Sequence, residues 1–418
     1  GPCSVSGGLT DCKPLHRDSP RRNMVLMPPL ALLFLTLFNS ILGLSILFPI
    51  LGPLARELGL TELQVGLFST GYALMQFLFS PYWGRRSDRG RKPVLLLGIL
   101  GFGLSFGLFG VFATLGERGV LQGTALFLLL LLARLLGGIL SSATLPTAQA
   151  YVADLTGRES RTGGMALLGA AFGLGVVFGP ALGALLSRYG LLVPVYFSAG
   201  LAFLNALFVL RFLPESRAQE TVRPPRVSPL DPRFWPLLAL GFILSLSSVA
   251  LEQTVAFYFQ DQLGLTGTET ARKVGLALVF YGLTAVLIQG GLVRTLKAPP
   301  KTLFFLGLPV AFLGYLALLF GKGYLLLTLG LVLQGAGQAL ATPGVTAALS
   351  LNATGEEQGG VAGLNASAQA LGRMLGPILG TGLYELYPSL PYLASALLTL
   401  LGLALALRLQ RETERSRG

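Results

Sequence analysis

"GRRSDRGRKP", residues 84–93, packs six charged side chains into ten positions, and long apolar runs border it on both sides. Such a knot can be a nucleic-acid patch, a surface loop of a soluble enzyme, or a loop between membrane spans. Composition separates the three. Hydrophobic residues make up 52% of the 418 and charged residues 12%, with a mean hydropathy of +0.68, whereas soluble domains are about one-quarter charged. The chain is therefore built for lipid. Its formal net charge of +12 is concentrated in short loops between apolar runs, where Lys and Arg report topology rather than a polyanion partner. A short loop anchored at both ends in a bilayer cannot follow a nucleic acid, so no nucleic acid is expected as a partner.

The two cysteines, Cys3 and Cys12, and the one histidine, His16, all lie in the polar leader. The body thus holds no disulfide framework, no cysteine metal site and no histidine ligand. It also has no phosphate-cradling glycine loop, no zinc-binding helix and no paired-aspartate metal motif. Neither a metal, a cofactor nor an enzymatic reaction is expected. The leader lacks the apolar core and small-residue cleavage site of a signal peptide; we read it as a disordered tail, with Met24 a candidate native start.

Crossing the hydrocarbon core takes about 20 mostly apolar residues. Runs of that kind lie at 29–53, 65–83, 93–114, 124–152, 164–186 and 191–213, and then at 236–260, 273–293, 302–321, 324–350, 361–386 and 390–409. The predicted fold class is an all-α membrane protein of twelve spans. The proline-rich stretch 214–235 divides them into six and six. The expected organisation is a disordered cytoplasmic tail over 1–27, one bundle over 28–213, a cytoplasmic linker over 214–235, a second bundle over 236–409, and a cytoplasmic tail over 410–418. The termini and the loops on their side, with the adjoining span ends, carry 23 Lys and Arg against 6 in the opposite loops and span ends, which predicts that both termini are cytoplasmic in a plasma membrane.

The halves repeat. Pro146 and "GPALG" from Gly179 correspond to Pro343 and "GPILG" from Gly376 at one offset of 197, and Gly175, Gly179 and Gly183 correspond to Gly372, Gly376 and Gly380. "ELGLT" at 57 is echoed by "QLGLT" at 262. Two similar six-helix bundles around a central cavity are the architecture of a secondary transporter.

With those residues in view, "GRRSDRGRKP" resembles the loop motif that follows the second helix of the major facilitator superfamily. "ARLLGG" in the fourth span is similar to the arginine motif of its drug:proton antiporters, and "GLGVVFGPALG" in the fifth to their antiporter motif. The run "GYALMQFLFSPYWGRRSDRGRKPVLLLG" resembles the tetracycline-efflux branch. The residue usually found between Arg89 and Gly90 is missing, which shortens the turn by one. The resemblance implies a monomeric carrier whose loop, Gly84, Asp88, Arg89, Gly90 and Arg91, acts as a cytoplasmic gate. Asp88 would meet the positive N-terminal end of the eleventh helix, and Arg89 or Arg91 would pair with Asp154. Gly175, Gly179 and Gly183, spaced by four, share one helix face beside the helix-bending Pro180. Their repetition points to a rocking surface between the halves.

Charges within spans are costly, about 2.5–3.5 kcal/mol each at a helix centre. Arg134, Glu252 and Arg373 must therefore face water or each other. Ser245, Ser248 and Glu252 form one polar stripe, Asn365, Gln369 and Arg373 another, Gln334, Gln338 and Thr342 a third, and Tyr72 with Gln76 a fourth. They point to a wet central cavity, with an interhelical hydrogen bond as the alternative for each Ser or Gln. Asn39 stands where tetracycline-type exporters tend to carry an acid. Tyr281 and the aromatic run "FYFQ" at 257 suit bulky apolar substrates. An apolar setting favours a protonated carboxyl and a nearby guanidinium an ionised one. Glu252 is accordingly the expected protonation site, Arg373 its modulating partner, and Arg134 the holder of the family's role in proton coupling. The reading is proton-coupled export of lipophilic or amphipathic molecules, with a lipid flippase, a metabolite symporter and a transport-dead receptor as alternatives.

Overall fold

The computed structural model describes residues 21–155, 158–215, 227–293, 298–354 and 357–417, and all regular structure among them is helical. The first half contains α1 (Arg21–Ser45), α2 (Leu51–Glu57), α3 (Glu62–Arg86), α4 (Arg91–Glu117), α5 (Gly123–Ser141), α6 (Thr144–Leu155), α7 (Arg158–Ser187) and α8 (Val193–Phe212). The second contains α9 (Trp235–Leu263), α10 (Gly267–Leu287), α11 (Pro300–Phe320), α12 (Tyr324–Asn352), α13 (Gln358–Leu386) and α14 (Leu390–Arg417). With α5 and α6 counted as one broken span, each half supplies six crossings.

Among the described residues nine segments are both long and apolar enough to cross a membrane. α1 falls short in length, its described apolar part running over Pro29–Ser45, and α3 and α13 fall short because polar side chains interrupt them, Thr70, Tyr72 and Gln76 in α3 and Asn365, Gln369 and Arg373 in α13. The predicted first span, 29–53, breaks at a turn over 46–50, before the short α2. Over the predicted cytoplasmic tail from 410, α14 continues unbroken to Arg417. Its register is maintained by pairs one turn apart, such as Arg408 Nε to Glu412 Oε1 at 3.0 Å. The leader up to residue 20 lies outside the described residues, as do residues 216–226 of the linker.

The echo of "ELGLT" in "QLGLT" is conformational. Gly59 and Gly264 both adopt the left-handed backbone, at φ of +75° and +61°, which glycine reaches without a Cβ penalty. Two residues later a threonine starts the next helix. Thr61 and Gln64 exchange hydrogen bonds at 3.2 and 3.0 Å, as Thr266 and Glu269 do in the capping box of α10. The same helix-stop and helix-start chemistry thus turns the chain at equivalent places in both halves.

These turns mark what we call the turn face; the opposite end, bearing residues 84–92, is the basic face. One core cluster straddles the halves near the turn face, joining Ile46, Phe68 and Phe106 to Leu251, Phe257 and Tyr384. Toward the basic face each half has a separate core. That of the first half includes Leu37, Ile99 and Tyr151, and that of the second Leu240, Leu308 and Val345. Among the described residues the core is shared between the halves near the turn face and separate in each half toward the basic face.

Candidate functional site

The seam between the halves is made by α3 against α13 and α7 against α10, with α2 reaching α9 and α10. Its close approaches rest on glycines. A Cβ on Gly66 would meet Thr381 Oγ1 at 1.9 Å and Pro377 O at 2.7 Å, and one on Gly275 would meet Ala184 Cβ at 2.4 Å. Thr70 goes further into the opposite half. Its hydroxyl donates to Met374 O at 2.7 Å and accepts from Ile378 N at 3.1 Å, inserting into the ladder of α13 beside Pro377. Ser69 Oγ donates to Gln253 Oε1 at 2.7 Å, again across the seam. All these partners lie in the turn-face parts of their helices. At its rim Arg56 binds Asp261 and Glu62, Tyr384 donates to Asp261, and Glu385 Oε1 accepts from Leu63 N at 2.8 Å.

The repeated glycine triplets serve a different contact from the expected one. Gly175, Gly179 and Gly183 pack on Ile41 and Ser45 of α1 and on Ile46 just after it, and Gly372, Gly376 and Gly380 on Ser245, Val249 and Ala250 of α9. Each pair of helices belongs to one half. Ser45 Oγ donates to Gly175 O and Ser245 Oγ to Gln369 O, both at 2.8 Å. The triplets therefore close α7 onto α1 and α13 onto α9, since residues four apart can serve only the helix they face. Val177, Pro180 and Ala184, on another side of α7, meet the opposite half.

Glu252 lies on the side of α9 between α10 and α13, and its half-buried carboxyl neighbours the hydroxyls of Ser248 and Tyr281 and the guanidinium of Arg373. Ser248 Oγ and Tyr281 OH are 3.2 Å apart and both residues are 8% exposed. Arg373 is exposed. On α13, Gly372 faces α9 while Met374 O is bonded by Thr70 of α3, so Arg373 projects between those helices. The exposed Leu371 and Leu379 lie on the outer side. Both charges consequently lie next to residues that reach the other half, Gln253 bonded to Ser69 and Met374 to Thr70.

Arg134 is 4% exposed and, among the described residues, has no carboxylate beside it. Its guanidinium lies 4.6 Å from the ring centre of Tyr72 and 5.9 Å from that of Phe106, and its Nε and Nη1 have no hydrogen-bond partner. Tyr72 is itself buried, its hydroxyl 2.6 Å from Ser141 Oγ. Gln338 Nε2 donates to Leu244 O at 3.2 Å, Asn365 Nδ2 to Thr346 Oγ1 at 3.2 Å, and Gln369 Nε2 to Asn365 Oδ1 at 3.5 Å. Asn39 and Gln76 are half-buried, Asn39 in a recess with Ser40, Phe102 and Asn205.

Two cavity expectations need correction. Gln334 lines no cavity: it is fully buried, and its Nε2 donates to Tyr315 OH at 3.1 Å between α12 and α11. Phe257, Tyr258 and Phe259 are core residues, 0–2% exposed, because α9 is enclosed by α12, α13 and α14. The sequence also gave no notice of Ser69, Thr70, Gln253, Asp261 or Tyr384. Among them only Thr70, opposite a helix-interior proline, carries a pattern that could have been sought.

In the basic loop, Ser87–Arg89 form a 3₁₀ turn ahead of α4. Arg91, at the start of α4, places Nε 2.8 Å and Nη2 3.3 Å from the carboxylate of Asp154 in α6, and Nη1 2.9 Å from Ser87 Oγ. The backbone N–H groups of Arg91 and Lys92 donate to Glu215 Oε1 at 2.9 and 3.2 Å. Arg89 is exposed and Gly90 partly buried. Gly84 lies in the last turn of α3; its surroundings and the side chain of Asp88 lie outside what is described.

The profile of the family described as Major Facilitator Superfamily matches residues 33–324 and 270–418. Multidrug resistance protein 2 of Bacillus subtilis (strain 168) is 27% identical over 396 residues, covering 90% of this chain and 94% of that protein. The class C tetracycline resistance protein of Escherichia coli is 30% identical over 361 residues, covering 82% and 86%. Among solved structures, a bacterial homologue of the human lysosomal transporter Spinster, in an inward-facing and occupied conformation, superposes with a TM-score of 0.74 at 15% identity, covering 94% of this chain and 98% of that one. That likeness concerns the fold alone.

Proposed function

Because the chain belongs to the major facilitator superfamily, we propose that it is a proton-coupled exporter of lipophilic or amphipathic small molecules, working by alternating access. Multidrug and tetracycline resistance proteins among its full-length relatives support this reading. The observation that carries it is the position of Glu252, an ionisable group facing a central space that is shut at the turn face and flanked by separate cores at the basic face. The excess of Lys and Arg on the basic face supports a cytoplasmic assignment for that face and for both termini. The structure then represents the state open to the cytoplasm.

In this scheme Glu252 takes up a proton when the central space faces outward and releases it when the space faces inward, with Arg373 favouring the ionised form. Arg134 holds positive charge in the first half against the rings of Tyr72 and Phe106. Arg91 and Asp154 fasten the cytoplasmic ends of α4 and α6, so that the loop moves with its own half. Proton and substrate each shift the balance between the two states by their differential affinity for them, and exchange follows when the two bind in turn rather than together. Proteoliposomes holding the Glu252→Gln variant test the reading. Transport driven by a proton gradient should be lost while gradient-free exchange of labelled substrate persists. Retention of gradient-driven transport overturns the assignment.

A further inference from the structure

The central space presents two unlike charges that do not satisfy one another. Glu252 and Arg373 feel each other electrostatically, yet among the described residues no carboxylate lies within ion-pair distance of Arg373. Glu252 is met by the neutral hydroxyls of Ser248 and Tyr281. Arg373 remains exposed at membrane depth, where an arginine whose function was purely structural would be expected to close onto the nearest acid. Arg134, buried, adds a second cation with no carboxylate beside it among the described residues. The other described acids of the spans lie at or near helix ends, as Asp154, Asp261, Glu269 and Glu385 do. The inventory at depth is therefore two cations and one anion, arranged as a separated pair open to the space between the halves.

We propose that this pair is the recognition site for a zwitterionic amphiphile, whose acidic group is bound by Arg373 and whose cationic group is bound by Glu252. A guanidinium offers a carboxylate or phosphate a planar, two-pronged set of donors. On the Glu252 side, the substrate's cation and the proton compete for the same carboxylate, which gives exchange rather than co-transport. The residue that couples the proton thus also reads half of the substrate. The inference rests on the export reading given above, in which the central space is the substrate cavity, and its test uses equilibrium binding without a gradient so that the two can fail separately.

The probes are rhodamine B, which carries a carboxylate and a cationic ring system, and its ethyl ester, which keeps the cation alone. Binding to the purified full-length protein in detergent is followed by fluorescence anisotropy. The unmodified protein should prefer the zwitterion about tenfold or more, as expected for a charge-assisted pair in a desolvated site. Arg373→Gln should bring the ratio of the two affinities close to one, and Arg373→Lys should restore part of it. A ratio unchanged in Arg373→Gln, or no preference in the unmodified protein, overturns the proposal while leaving gradient-driven export of the ester able to stand. Lysophosphatidylethanolamine, whose headgroup has the same two charges, separates the sources of such a ligand. Displacement of rhodamine B by the lysolipid assigns the site to a lipid headgroup; retention assigns it to a soluble amphiphile. Either result keeps the two-charge recognition, provided the affinity ratio depends on Arg373.

Discussion

Arg56, in the short helix after the first span, and Asp261, near the end of α9, form an ion pair that crosses the seam between the halves, with Arg56 Nη2 3.0 Å from Asp261 Oδ2. Glu62 shares the guanidinium at 2.8 Å and Tyr384 donates to the same aspartate. Asp261 and its hydrogen bond hold the Arg56 guanidinium above its ordinary pKa, so the cation persists at any working pH. The side chains are 27% and 33% exposed, which limits the pair to about 1 kcal/mol. Asp261→Asn should therefore raise the population open at the turn face about fivefold. Spin labels at Arg118 and Lys322, on opposite halves and with Cys3 and Cys12 replaced, read that population as a longer distance. An unchanged distribution would mean that the pair is decorative.

Two glycine substitutions should separate the seam from the interior of a half. Gly66→Ala puts a methyl 1.9 Å from Thr381 Oγ1 and 2.7 Å from a backbone oxygen of the opposite half. Gly179→Ala puts one 1.8 Å from Ser45 Oγ and 3.1 Å from Ile46 N within the first half. Overpacking costs about 1–3 kcal/mol, but it falls on one conformational state in the first case and on the fold in the second. We expect Gly66→Ala to shift the spin-label distances while holding its melting temperature, and Gly179→Ala to lower the melting temperature. Equal loss of stability in both variants would contradict this division.

Hydropathy and Lys/Arg placement made most of the fold legible, because a bilayer tolerates few alternatives to a helix of about 20 residues. The repeat announced itself because Gly59 and Gly264 meet the same backbone demand, and Thr61 and Thr266 the same capping demand. Glu252 and Arg373 stood out for the cost of their charges. What did not show was direction. Periodicity puts Gly175, Gly179 and Gly183 on one face without saying which helix that face meets, and it reads Gln334 as polar without revealing that its amide is buried against Tyr315. The seam at Thr70 and the Arg56–Asp261 pair join residues about 200 or more positions apart, and no local pattern encodes such partners.

Arg91 and Asp154 are 4% and 3% exposed, joined at 2.8 Å, and a charge stripped of its partner in such a place costs about 3–5 kcal/mol. Asp154→Asn should lower the thermal stability of the protein by an amount in that range, and Arg91→Gln should do the same. The double variant should lose much less than the sum, because neither charge is then left alone. Additive losses in a double-mutant cycle followed by thermal unfolding would show that the two residues act through separate contacts.

At the same face Arg233 clasps Glu357, Nη1 to Oε1 at 2.9 Å and Nη2 to Oε2 at 2.8 Å, joining the segment ahead of α9 to the turn ahead of α13. Arg233 also holds Asp231, at 2.9 Å. The Arg233 bonds, with a backbone bond from Thr354, bring the Glu357 carboxyl down from its ordinary 4.5 to about 2. A carboxyl depressed in the folded state stabilises it fully above the unfolded value, and that contribution disappears as pH falls through the folded one. The clasp should therefore be constant from neutral pH to about 4.5 and lost progressively toward about 2; Asp231, also lowered by Arg233, titrates in the same sense. Trp235 begins α9 two residues after Arg233, and in a Trp83→Phe background it is the sole tryptophan reporter. Its fluorescence should change with a midpoint near 2 in that background and near 4.5 once Arg233→Gln releases the carboxyl. Coincident midpoints in the two proteins would show that Arg233 does not hold Glu357 in its ionised form.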